Sequence, residues 1–87
     1  KNYRLAIRYQ YLKVLKTLYQ HQIIEWHYEK TNQDYEKEIE APKIRLLFKD
    51  VSYLYDHIWY GEQEIDDLKY QAAEIKFVNI NNIGTHG

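Results

Sequence analysis

Apolar residues recur every three or four positions from residue 2 to about residue 21, the spacing of an amphipathic α-helix. Two apolar stripes run side by side along this predicted helix. The first stripe is Ile7, Tyr11, Val14 and Leu18, and the second is Leu5, Tyr9, Leu12 and Tyr19. Together they cover more than half of the circumference. A helix this widely apolar is either central in its domain or covered by a segment outside this chain.

Residues 22–31 form a connector, and we expect Ile23, Ile24 and Trp26 to point inward from it. Thr31 has the character of an N-cap, and Asp34 three residues later completes a near capping box. A short helix should therefore run from Asn32 to about Glu40. Pro42 either stops this helix or begins the next one at its first position.

The clearest helix covers residues 43–60, and Gly61 is well placed just after its end. Its inner face is predicted to carry Ile44, Leu47, Val51, Leu54 and Ile58, widened by Phe48 and Tyr55. A last helix, with Asp66 as its N-cap, should run from Asp67 to about Val78. It is expected to bury Leu68, Ala72, Ile75 and Val78, and residues 79–87 are expected to fray.

These elements predict an all-α fold class: one domain, residues 1–87, with its core over about residues 2–78. The domain is a small helical bundle of three long helices and one short helix. With 87 residues, the chain should bury roughly 60–65% of its unfolded surface, so modest stability is expected. Aromatic residues make up 16% of the chain, and ten of them are Tyr, which suits half-buried surfaces and interfaces.

The residue inventory argues against an enzyme. There is no Cys, Ser52 is the single serine, and only three Gly residues are present, two of them at the C-terminal end. Serine, cysteine and phosphate-cradle chemistry therefore lack their usual groups. The four His residues show no metal-binding spacing, and the carboxylates of residues 62–67 lack the pattern of a calcium loop. We predict no catalytic residue, no cofactor and no metal.

Charge is distributed unevenly along the chain, whose net charge is −1. Residues 1–24 hold five basic residues and no acid, whereas residues 25–40 hold six acids and two Lys. A basic first helix on an acidic body leaves nucleic-acid binding as the alternative function. The sequence pI near 6.5 argues against it, so no nucleic-acid partner is expected.

Arg4 and Arg8 lie four positions apart and share one face of the first helix. One interpretation is that they form a site for an anion or a lipid headgroup. The favoured interpretation is that they form ion pairs with Asp50, Asp56 or Asp67. Lys13 and Lys16, on the opposite side, either contact an anionic lipid surface or form a solvated face. The solvated face is favoured for the two lysines.

Aromatic residues gather in the connector and at the end of the third helix: Trp26, Tyr28, Tyr35, Trp59 and Tyr60. They form either a binding cluster or, the favoured interpretation, aromatic caps on a small core. In the second case the connector is a joint between helices. Trp26 would plug the bundle, Thr31 would cap the next helix, and Lys30 and Asn32 would fix the loop.

Three blocks carry a resemblance to a known family: "NYRLAIRYQYLKVLKTL", "IIEWHYEKTNQDY" and "YLYDHIWYGEQEIDDLKY". In this order and spacing they resemble domain of unknown function 4129, the C-terminal helical domain of transglutaminase-like bacterial membrane proteins. The resemblance covers about residues 2–78. It rests on Tyr3, Arg4, Arg8 and Tyr9, on Trp26, Lys30, Thr31, Asn32 and Tyr35, and on Trp59, Tyr60, Gly61 and Glu62.

The resemblance implies an all-helical domain placed after a transmembrane segment, with no known catalytic activity of its own. The transglutaminase-like chemistry of larger members belongs to a separate domain, and this chain lacks its Cys-His-Asp set. One departure concerns the turn after the first helix, where relatives often have Gly and this chain has "YQHQIIEW".

From these features we expect a non-catalytic interaction or accessory domain with an unknown protein partner, or self-association through the first helix. The chain begins at Lys1 and contains no Met, which suggests a piece of a longer protein. The resemblance implies a membrane anchor upstream of residue 1. The basic first helix favours an inner-membrane anchor with the domain on the cytoplasmic side.

Overall fold

The computed structural model describes residues 2–61 and 64–83. Four α-helices occupy most of this part of the chain: α1 (Tyr3–Gln20), α2 (Asn32–Glu38), α3 (Pro42–Tyr60) and α4 (Asp67–Asn81). The described residues contain no β-strand. The predicted all-α bundle of three long helices and one short helix is therefore confirmed.

One hydrophobic core lies between the helices. The three long helices pack against one another, and α2 packs against α3. Phe48 of α3 and Phe77 of α4 are the largest fully buried side chains. The first stripe of α1 is buried as predicted, and the rest of the core consists of Leu15, Ile24, Tyr35, Ile39, Val51, Tyr55, Ala73 and Ile80. The core of α3 is centred on Phe48 and Tyr55, while Ile44, Leu47, Leu54 and Ile58 are only partly buried.

Local hydrogen bonds start the helices where the sequence indicated. The Thr31 hydroxyl accepts from the Asp34 backbone N–H, and the Asp34 carboxylate accepts from the Thr31 N–H, which completes the capping box of α2. Pro42 is at the first position of α3 and Asp66 caps α4, accepting from the Lys69 N–H at 2.8 Å. The Thr31, Asp34 and Asp66 side chains satisfy backbone N–H groups that have no partner within the helix, whereas α3 begins at Pro42 without a side-chain cap.

A left-handed residue ends α1. Gln22 has φ of 60°, its N–H donates to the Tyr19 carbonyl, and the Ile23 N–H donates to the Leu18 carbonyl. This pair of bonds is a Schellman motif, in which the left-handed position is normally Gly. The turn where the sequence departs from the resembled family thus keeps a glycine-type geometry with a Gln side chain.

The predicted inner face and end of α4 are wrong. Leu68 is 78% exposed and Ile75 is 61% exposed, whereas Ala73, Phe77 and Ile80 are buried. α4 is apolar on two sides, and both sets have helical spacing, so periodicity alone did not distinguish them. α4 also continues to Asn81 with Ile80 only 1% exposed, so residues 79–81 are not frayed. Residues 84–87 of the predicted tail lie outside the described residues.

Candidate functional site

Most of the candidate residues surround one open cleft of about 550 Å³ between α1, the connector, α2 and the end of α3. Seven of the ten residues selected from the sequence line it: Arg8, Trp26, Lys30, Thr31, Asn32, Tyr35 and Tyr60. The cleft also includes residues that sequence reasoning did not select as site residues, namely Tyr11, Tyr55 and Asp56. Arg4, Trp59 and Gly61 lie next to it rather than in its lining.

Arg4 and Arg8 lie over the indole ring of Trp59. Their guanidinium carbons are 5.8 Å and 4.9 Å from the ring centroid, within the range of a cation–π contact. Arg4 also donates to the Trp59 carbonyl oxygen. This arrangement anchors the first turns of α1 to the last turn of α3.

The predicted ion pairs of these arginines with aspartates are wrong. Among residues 2–61 and 64–83, the one ion pair found is between Lys30 and Glu38. Asp50, Asp56 and Asp67 are exposed and none of them pairs with Arg4 or Arg8. The indole ring of Trp59 takes the place of the expected carboxylate.

A polar chain runs along the floor of the cleft. Arg8 donates to the Tyr55 hydroxyl at 2.7 Å, and the Tyr55 ring stacks on the Tyr11 ring with centroids 4.1 Å apart. The Tyr11 hydroxyl donates to the Asn32 side-chain oxygen, and the Asn32 amide donates to both oxygens of Asp56 at 3.1 Å. Burial raises the pKa of Tyr11 well above its usual value, with the Asp56 charge acting in the same direction.

Asn32, Lys30 and Thr31 fix the connector as the sequence predicted. The Lys30 ammonium donates to the Glu25 carbonyl and to the Glu38 carboxylate, both at 2.8 Å. The hydrogen bond to Glu38 raises the pKa of Lys30. At the start of α2, the Thr31 backbone N–H holds the pKa of Asp34 below its usual value. The connector is therefore a hydrogen-bonded joint between α1 and α2.

Trp26 does not plug the bundle, contrary to the prediction. It is 53% exposed and stacks on the outer side of Tyr35, with ring centroids 6.3 Å apart. Tyr35 fills the end of the core that Trp26 was predicted to fill. Its side chain is only 2% exposed, and its hydroxyl donates to the His27 carbonyl at 2.8 Å. The large side chain of Trp26 is thereby left on the surface.

Gly61 ends α3 without the left-handed conformation common after helices. Its φ and ψ are −74° and 154°, which is extended backbone. A Cβ atom at this position would lie 2.2 Å from the His57 carbonyl oxygen. The close approach of the chain to the last turn of α3 therefore requires glycine.

The second apolar stripe of α1 is exposed and continues into the connector. We call this surface the α1 face, and it consists of Leu5, Tyr9, Leu12, Tyr19, Trp26 and Tyr28. Tyr28 is its most exposed member, at 81%. An open notch of about 410 Å³ lies where Leu12, Lys16, Tyr19 and Trp26 meet. The wide apolar arc of α1 left two possibilities, a helix central in its domain or a helix covered by a segment outside this chain. Because the second stripe is exposed, α1 is not a fully central helix.

The reactive residue types are engaged in structural contacts. Ser52 is buried, and its hydroxyl donates to the Lys49 carbonyl. His27 accepts from the Glu29 N–H at 3.1 Å, and His57 is exposed and stacks on Tyr53. In the described part of the chain, no group of three or more His, Cys, Asp or Glu side chains is placed to hold a metal ion. His86 lies outside the described residues.

Comparisons with known proteins give no match: no family model, no curated protein and no solved structure is similar to this chain. The resemblance to domain of unknown function 4129 therefore stays a prediction. Within residues 2–61 and 64–83, none of the helices is long and apolar enough to cross a membrane.

Proposed function

We propose that this chain is a non-catalytic helical interaction domain of a membrane-anchored bacterial protein. The α1 face is the observation that carries this proposal. It places four Tyr or Trp side chains and two Leu side chains, all at least 37% exposed, on one side of the domain. Exposed apolar patches of this kind mark interaction sites rather than a solvated surface. Tyr and Trp are also the residue types that dominate binding at interfaces.

The polar cleft supports a structural rather than a chemical role for its residues. Tyr11, Asn32 and Asp56 satisfy one another, and Arg8 is engaged by Tyr55 and Trp59. A catalytic group needs a free acceptor or donor that reaches a substrate. Here the hydrogen bonds join α1, α2 and α3, so the cleft holds the α1 face in place.

The anchor and its side of the membrane rest on sequence features. Residues 2–24 contain four basic residues and no acid, and the family resemblance places a transmembrane segment before such a domain. Positive residues next to a membrane span favour the cytoplasmic side. The proposal is therefore an inner-membrane protein with this domain in the cytoplasm.

Cell fractionation tests the anchor. The natural full-length protein should pellet with membranes, and its domain should resist protease added to spheroplasts until the cells are lysed. Immediate digestion of a membrane-bound protein would contradict the cytoplasmic side. A protein found entirely in the soluble fraction would contradict the anchor itself.

Site-specific photo-cross-linking in cells tests the interaction role. A photoreactive amino acid is placed at Tyr9 on the α1 face or at Tyr53, an equally exposed tyrosine on α3. We expect a cross-linked product specific to position 9, in which the linked molecule is either a protein or a lipid. The absence of a product at position 9, or the same products at both positions, would contradict an interaction role for the face.

Nucleic-acid binding remains the second candidate because α1 contains no acidic residue. The exposed Lys13 and Lys16 would contact the phosphate backbone, and binding would then weaken steeply with salt. Titration of the purified chain with duplex DNA at increasing salt tests this. Low-micromolar, salt-dependent affinity would favour this function over the first.

A further inference from the structure

The composition of the α1 face narrows the class of its partner. Tyr9, Tyr19, Trp26 and Tyr28 each combine an apolar ring with a polar tip, and Leu5 and Leu12 lie between them on the helix. Tyr and Trp of this kind are enriched where protein meets the headgroup level of a membrane. Interfacial helices combine such a face with Lys or Arg residues.

The charge around the face is positive along α1. Lys13 and Lys16 are exposed, and neither forms an ion pair within the described residues. The acids nearest in sequence are Glu25 and Glu29, which flank Trp26 and Tyr28 in the connector. Asp56 of α3 also lines the cleft beside Trp26 and Tyr28. Negative charge therefore lies at the connector end of the face, whereas α1 itself contains no acidic residue and is complementary to an anionic surface.

The position of Lys16 distinguishes a lipid surface from a protein partner. Successive residues of an α-helix are rotated by about 100° around its axis, which places Lys16 between Leu12 and Tyr9 around the circumference of α1. Lys16 also lines the notch with Tyr19 and Trp26. Lys is depleted from the dry centre of protein interfaces. At a bilayer, the same side chain extends along the apolar surface and places its ammonium among the phosphates.

We propose that the α1 face lies on the surface of an anionic bilayer. The aromatic rings sit at headgroup level, Leu5 and Leu12 reach just below it, and Lys13 and Lys16 contact lipid phosphates. This inference rests on the proposed interaction function and names its partner. The contact is reversible and peripheral, because two lysines and a single helix face give far weaker binding than a spanning helix.

Vesicle co-sedimentation of the 87-residue chain tests the proposal. The chain should bind vesicles of phosphatidylcholine mixed with phosphatidylserine, bind vesicles of phosphatidylcholine alone much less, and be released by high salt. Tryptophan emission should shift to shorter wavelength on binding, and the Trp26→Phe variant should lose that shift. Failure to bind the anionic vesicles would overturn the proposal.

Matched variants distinguish the effect of the α1 face on vesicle binding from the effect of the overall charge and hydrophobicity of the chain. Lys13→Gln with Lys16→Gln should lower the partition coefficient roughly 20- to 30-fold, at about fivefold per lysine. Tyr9→Ser with Leu12→Ser should lower it by about tenfold or more. The controls remove the same number of lysines or of exposed apolar side chains elsewhere: Lys43→Gln with Lys49→Gln on α3, and Leu68→Ser with Ile75→Ser on α4. All eight residues are exposed, and circular dichroism verifies folding.

The outcomes distinguish this inference from the proposed function. Equal losses in the control variants would overturn the assignment to the α1 face. A concentration-dependent dimer that Tyr9→Ser dissociates, with no vesicle binding, would assign the face to a second copy of the chain. In that case a photo-cross-linked product specific to position 9 in cells would still support an interaction domain. Fractionation of the full-length protein tests the membrane anchor independently.

Discussion

The ring of Tyr11 in α1 lies parallel to the ring of Tyr55 in α3, with centroids 4.1 Å apart and planes 7° apart. Each hydroxyl has its own partner beyond the stack, Asn32 for Tyr11 and Arg8 for Tyr55. Two apolar rings thus hold α1 on α3, while the Tyr11 hydroxyl fixes the start of α2 and the Tyr55 hydroxyl binds Arg8 of α1. The stack is the point at which three helices of the bundle are joined.

Tyr11→Phe should retain the stack and lose the hydrogen bond to Asn32. The free energy of unfolding at neutral pH should fall by about 0.5–1.5 kcal/mol. Because the pKa of Tyr11 is raised in the folded state, its contribution is fully present below the ordinary tyrosine pKa near 10 and is lost as pH rises above it. Urea unfolding from neutral to alkaline pH should therefore show a shallower decline for the variant, and coincident declines would contradict the assignment.

Gln22→Gly should stabilise the domain by about 0.5–1 kcal/mol, because glycine adopts the left-handed conformation at φ of 60° without steric cost. Gln20→Gly, two residues earlier and inside the last turn of α1, is the matched control. It should destabilise by up to about 1 kcal/mol. Urea unfolding at one pH measures both, and a loss of stability in Gln22→Gly would contradict the Schellman geometry.

Ile80→Ala and Ile75→Ala test which side of α4 faces the core. Ile80 is 1% exposed and Ile75 is 61% exposed. The first variant should lower the free energy of unfolding by about 2–5 kcal/mol, since it leaves a cavity. The second should change it by no more than about 0.5 kcal/mol. The reverse order in thermal or urea unfolding would restore the face predicted from periodicity.

A double-mutant cycle measures the contact between Arg8 and Trp59. With Arg8→Met and Trp59→Leu, we expect a coupling free energy of about 0.5–1 kcal/mol from the cation–π interaction. Arg45 is the control, because it is on the same helix as Trp59 but donates to the Ile39 carbonyl. Arg45→Met and Trp59→Leu should be additive, and additivity of the Arg8 pair would contradict the contact.

The capping box of α2 predicts an acid-sensitive helix end. Thr31→Ala should lower the free energy of unfolding by about 1 kcal/mol at neutral pH. The Thr31 N–H lowers the pKa of Asp34. The contribution of the Asp34 carboxylate to stability is therefore present above the ordinary carboxyl pKa near 4, and it is lost as pH falls through the lowered pKa. The stability difference between the wild type and Asp34→Ala should shrink in that acid range, and a constant difference would argue against an ionised cap.

Much of the fold and part of the site follow from local sequence signals. The capping box at Thr31 and Asp34, the proline at the start of α3 and the N-cap at Asp66 each act over three or four residues. Such interactions involve only neighbours in the chain, and therefore sequence alone locates them. The joint role of Lys30 was also predicted from the sequence, but its partner Glu38, eight residues away, was not.

Only the tertiary structure decided which apolar surfaces are buried. α1 and α4 each have two apolar sides, and helical periodicity is equally satisfied by both. Packing of the long helices covers Phe77 and Ile80 and leaves Ile75 exposed. Likewise, Arg8 meets Trp59 rather than an aspartate because the end of α3 crosses the start of α1. Burial and long-range pairing depend on the relative placement of whole helices, which no local pattern specifies.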